Sequence, residues 1–110
     1  MIEVDERCAC FVNWCLMKAN MEAPGHSLAE RWTTCGTHLD PKDVKLGAVA
    51  VIERTPRSDP PKFHVGFYIG GPADSPVLLG GNRGDMVCRR QYKAHEVWYR
   101  WPVALAPCKK

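Results

Sequence analysis

Phe63-His64-Val65-Gly66-Phe67-Tyr68-Ile69-Gly70 is an eight-residue run of β-branched and aromatic residues closed by glycine. It reads as a strand. Strand alternation sends Val65, Phe67 and Ile69 to one face and His64, Gly66, Tyr68 and Gly70 to the other. Gly66, beside His64 on its face, leaves room for a helix or a ligand to come close.

Working outward, the preceding segment Thr55–Lys62 holds Pro56, Pro60 and Pro61, an exposed connection. Before it, Gly47-Ala48-Val49-Ala50-Val51-Ile52-Glu53 is apolar enough for a central strand, with Glu53 a solvated charge at its end. After Gly70, Gly71-Pro72 turns the chain and Val77-Leu78-Leu79-Gly80 forms the next strand, ended by Gly80-Gly81-Asn82. Met86-Val87-Cys88 and Val97-Trp98-Tyr99-Arg100-Trp101 are further short strands. Trp98 and Trp101 are expected in the core. Arg83-Gly84-Asp85 is a turn.

The first third of the chain has helical spacing instead. Asp5 reads as an N-cap, and Cys8, Phe11, Val12, Cys15 and Leu16 recur on one face of a helix ending near Asn20. Pro24-Gly25 breaks it. Ser27-Leu28-Ala29-Glu30 has the form of a capping box. A short second helix then runs to Gly36, with Trp32 and Cys35 facing inward. Helices first and an antiparallel meander after is an α+β order. The chain shows no internal repeat and no low-complexity tract.

The bulk numbers set limits. One domain, residues 1–110, suits this length. A hydrophobic fraction of 45% and a charged fraction of 25% are ordinary for a globular chain. No stretch approaches the roughly 18 apolar residues of a membrane span. The opening Met-Ile-Glu-Val-Asp-Glu-Arg is acidic where a signal peptide would be basic, so synthesis in the cytoplasm without a cleavable signal is expected. A net charge of +3 is too mild for a nucleic-acid binder, though compatible with an anionic polymer. Six cysteines would form a disulfide framework only in a secreted chain; Cys15 and Cys35 are expected as buried free thiols. Cys35-x-x-His38 lacks a second ligand pair, so neither a metal nor a cofactor is expected.

Cys8 lies in the first turn of its helix. Unsatisfied N–H groups and the positive end of the helix dipole favour a thiolate there, and Arg7 adds charge. The same N–H groups can receive the oxyanion of an acyl-transfer intermediate. Cys10 is rotated from Cys8 by roughly 200° about the helix axis, so one nucleophile is expected. His64 is a candidate base and Asn82 a candidate to orient its ring. Taken alone, each admits a plainer role: a helix cysteine as core, a strand histidine as structure.

Three blocks together say more. Cys8-Ala9-Cys10-Phe11-Val12-Asn13-Trp14-Cys15-Leu16, His64-Val65-Gly66-Phe67-Tyr68-Ile69-Gly70 and Val77-Leu78-Leu79-Gly80-Gly81-Asn82 resemble, in this order, the NlpC-type and CHAP-like cell-wall cysteine peptidases. The likeness is to a compact subgroup common in phages and bacteria. It implies a papain-like core, with N-terminal helices packed on a small antiparallel sheet. It implies Cys8 as nucleophile, His64 as base and Asn82 as third polar residue. Tyr68 and Arg83 are candidate substrate-binding residues. The implied substrate is peptidoglycan, cut by a stem-peptide endopeptidase or an N-acetylmuramoyl-alanine amidase. A phage lysin or an antibacterial effector would act so on the cell wall after release or delivery, with an inhibitor or immunity protein as a further candidate partner. Glu6-Arg7 replaces the usual Pro-Trp, and only seven residues precede Cys8, so a reduced groove wall is expected. The rival expectation is a non-catalytic wall-binding or protein-interaction module on the same scaffold.

Overall fold

The computed structural model describes residues 6–23, 29–54, 62–81 and 87–104. Helix α1 spans Glu6–Lys18. At 13 residues it is too short to be stable alone. Burial supplies the difference: Cys8, Ala9, Val12 and Leu16 are all buried. Val12 and Leu16 together contribute about 4 kcal/mol.

The helix stops earlier than Asn20, for a clear reason. Asn20 adopts a left-handed φ of 58°. The Met21 N–H donates to Leu16 O at 2.8 Å, and the Asn20 N–H donates to Met17 O at 3.1 Å. Those two bonds are a Schellman closure, with asparagine taking the position glycine usually fills. The expected N-cap Asp5, the Pro24-Gly25 break and Ser27 of the capping box lie outside the described residues.

Helix α2 is a single turn, Ala29–Trp32. Trp32 is buried as expected, whereas Cys35 is only half-buried. Gly36, at φ 77°, turns the chain into a strand. A side chain at Gly36 would meet Trp101 O at 2.6 Å, so this position is closed to any other residue.

The strands are β1 Thr37–Leu39, β2 Val49–Arg54, β3 Phe63–Gly70, β4 Val77–Gly81, β5 Val87–Gln91 and β6 Ala94–Trp101. They form one antiparallel sheet in the order β1-β6-β2-β3-β4-β5. The expected simple meander holds only from β2 to β5. Strand β6 returns to the far side of β2, and β1 adds to its outer edge. The result is a small compact α+β domain.

The sheet buries both faces. Val49, Val51 and Val65 meet Cys8, Ala9, Val12 and Leu16 of α1, joined by Trp32. On the other face Ala48, Ala50, Ile52, Leu78 and Tyr99 form a second cluster, with Trp101 against it. Trp98 packs against the first cluster, its ring 5.8 Å from that of Phe63. Burial pushes the Tyr99 hydroxyl above the usual phenol range, with Tyr68 and Asp74 adding to the effect. It donates to Ala73 O at 2.7 Å.

Two expectations are corrected here. Glu53 is buried rather than solvated, at 5% exposure. It lies within β2 between Phe63 of β3 and Glu96 of β6, on the same sheet face as Val49 and Val51, which pack against α1. The space at Gly66 is not left for a helix or ligand. A Cβ there would stand 3.0 Å from both Leu78 Cβ and Leu79 O, so strand β4 already fills it.

Candidate active site

Cys8 sits in the first turn of α1, where a helix leaves amides unused by its own ladder. His64 is the second residue of β3. Alternation places the helix against the Val65 face, not the His64 face. The two residues nevertheless meet at the end of the sheet, where β3 begins and β4 ends. Gly81, the last residue of β4, carries no side chain, and its carbonyl accepts from the Cys8 thiol at 3.2 Å.

The Cys8 sulfur is 3.2 Å from His64 Nε2 and 3.4 Å from Nδ1. A sulfur on the in-plane lone pair of one ring nitrogen would stand much farther from the other. Near-equal distances therefore put it against the ring between them, off both lone-pair axes. The thiol hydrogen is directed at Gly81 O. The contact lies within the reach a base needs, in a resting arrangement. Both groups are enclosed: Cys8 is 2% exposed and His64 7%.

The imidazole also packs against an aromatic ring. The Tyr92 ring lies 4.5 Å from it, tilted by 36°. Tyr92 belongs to the link between β5 and β6, and its N–H donates to Pro76 O at 2.9 Å. The Arg90 guanidinium is 5.6 Å from the Tyr92 ring. Sequence reasoning missed Tyr92, and no local motif marks it. Gly81 was legible as a strand end, but not as the thiol's acceptor.

The other expected site residues fall elsewhere. The Tyr68 hydroxyl donates to Gly71 O at 2.6 Å in the turn after β3, and its ring packs edge-on to Tyr99 at 5.8 Å. It serves the second core cluster rather than the Cys8–His64 pair. Asn82 and Arg83 lie outside the described residues, as do Gly84, Asp85 and the side chain of Arg7. Cys10 is exposed, and none of the described cysteines Cys8, Cys10, Cys15, Cys35 and Cys88 is in a disulfide. Among the described residues no group of His, Cys, Asp or Glu side chains could hold a metal ion. No helix among them is long and apolar enough to cross a membrane.

The arrangement joins a thiol, an imidazole within proton-transfer distance and a helix N-terminus. Chemically it can deliver a sulfur nucleophile to an electrophilic carbonyl and receive the resulting negative charge. Comparison of the chain with family models, with curated proteins and with solved structures finds no match.

Proposed function

We propose that the protein is a cysteine hydrolase acting on an amide bond of peptidoglycan, on a papain-like core. The observation that carries the chemistry is the 3.2 Å approach of the Cys8 sulfur to His64 Nε2 at the start of α1. The resemblance of the three sequence blocks to cell-wall cysteine peptidases supports the substrate class.

His64 takes the thiol proton as the sulfur attacks the amide carbon. The C–S bond forms, and the oxyanion is received by first-turn amides of α1. The imidazolium gives its proton to the departing amine as the C–N bond breaks. Water then attacks the thioester and yields a proton to His64. The C–S bond breaks, a carboxyl product leaves, and the thiolate recovers its proton from the imidazolium. Asn82 would orient the ring.

Purified sacculi incubated with the protein should release fragments bearing a new amine and a new carboxyl group, seen by mass spectrometry. Cys8→Ala should keep its fold and release none. Fragments released equally by Cys8→Ala would overturn the proposal.

A second reading has one observation in its favour. The pair is nearly closed to solvent, as suits a non-catalytic wall-binding or protein-interaction module built on the same scaffold. An intact wall together with binding of the protein to sacculi would favour it.

A further inference from the structure

Strand β5 stands at one end of the strand order, so among the described strands β4 alone pairs with it. The ladder fixes which of its backbone groups face outward. Along an antiparallel pair, residues alternate between those that bond to the strand beside them and those that point away from it. The Tyr92 N–H donates to Pro76 O, and Tyr92 continues the register in which Gln91 stands opposite Val77. Tyr92, Arg90 and Cys88 therefore turn their N–H and C=O groups toward β4, and Val87, Arg89 and Gln91 turn theirs to the open edge. Among the described residues no backbone group bonds to these three across that edge. Val87 is 53% exposed, and Arg89 and Gln91 are exposed as well.

A row of outward amides and carbonyls is a template for one more strand. Side-chain charge selects which strand. From Val87 to Lys93 the chain carries Arg89, Arg90 and Lys93 and no acidic residue, and these cations are exposed. Alternation puts Arg89 on one face of the sheet and Arg90 on the other, so an added strand meets a guanidinium on both faces. A second copy of β5 is disfavoured. Antiparallel self-pairing centred on the outward groups sets Arg89 opposite Arg89, and like charges directly opposite destabilise a strand pair. A carboxylate opposite Arg89 reverses that sign, and arginine can hold it through two parallel hydrogen bonds.

We propose that the outer edge of β5 docks an acidic, extended segment of a second protein, added antiparallel to the six-stranded sheet as one further strand. The outward backbone groups of Val87, Arg89 and Gln91 hold the segment, and Arg89 selects its charge. The site is separate from the Cys8–His64 pair and does not depend on the hydrolase reading.

The test follows amide hydrogen exchange of the full chain, residue by residue, by NMR. The probe is a peptide of alternating valine and glutamate, about seven residues long. One control peptide has lysine in place of glutamate, and another has every backbone amide N-methylated. In the free protein the Val87, Arg89 and Gln91 amides should exchange fast, while β4 protects those of Cys88 and Arg90. The acidic peptide should slow exchange at the three outward amides by at least about tenfold, and neither control should. Arg89→Glu should abolish that protection. Val87→Pro removes one outward N–H and none of the bonds to β4, so it should weaken binding of the acidic peptide. Unchanged exchange with the acidic peptide, equal protection by the lysine peptide, or protection that survives Arg89→Glu would overturn the proposal. Protection by the N-methylated peptide would show attraction by charge without strand addition and would overturn it too. Protection that grows with protein concentration in the absence of peptide would assign the edge to a second copy instead.

Discussion

At the scale of single residues, the site depends on holding one imidazole. His64 lies against both the Cys8 sulfur and the Tyr92 ring. An aromatic contact of that kind is worth about 1 kcal/mol beyond its buried area. Tyr92→Leu should therefore lower kcat/KM on sacculi by roughly three- to tenfold. Tyr92→Phe, which retains the ring, should restore most of the loss. Equal rates for the two variants would show that the ring does not position His64. The Cys8 and His64 identities were legible because a cysteine in a first helical turn and a histidine on a strand are local patterns. Tyr92 was not, because it reaches His64 through a link whose course is set by distant strand pairing. Glu53 was misread for a related reason. A charge at a strand end looks solvated until the sheet face it shares with the core is known.

At the scale of elements, helix α1 and strands β2, β3 and β4 were legible from periodicity, β5 and β6 were legible in part, and the C-terminal end of α1 was not. Strand β1 was invisible: Thr37–Leu39 is three residues long, and its pairing partner β6 lies some sixty residues later in the chain. What holds that edge is Arg100 of β6. Its Nε donates to Cys35 O at 3.0 Å, and its Nη2 donates to Thr34 O at 3.2 Å and Gly36 O at 2.8 Å. These carbonyls belong to the turn between α2 and β1, which Gly36 must enter with positive φ. Hydrogen bonds to a charged donor contribute more than neutral ones. Arg100→Gln should cost about 2 kcal/mol, roughly 8 °C in Tm by thermal unfolding. A shift within about 1 °C would mean that strand pairing alone secures the edge.

At the scale of the whole molecule, the α+β order was legible, while the strand order was not. Return of β6 to the side of β2 brings Tyr99 into the second core cluster, with Val97 and Trp101 against it. Face assignment was the deeper gap. Alternation alone sets His64 away from the helix, and the pair forms only because both meet at the sheet end beside Gly81. The free thiols elsewhere in the fold provide internal references for testing that pair. Burial pushes the Cys15 thiol up; burial, with Glu22 adding to it and Arg100 opposing it, does the same for Cys35. A raised pKa means less thiolate at a given pH, so both should alkylate slowly near neutrality and faster as pH rises. The measurement that tests the central claim most directly is the rate of Cys8 alkylation by iodoacetamide at pH 7, mapped residue by residue, in the wild-type protein and in His64→Ala. Removing the imidazole opens access to an enclosed sulfur, so a cysteine that is merely buried would react faster in the variant. A cysteine activated by His64 should react more slowly, by roughly tenfold or more, while Cys15 and Cys35 keep their rates. An unchanged or increased Cys8 rate in His64→Ala would contradict the account.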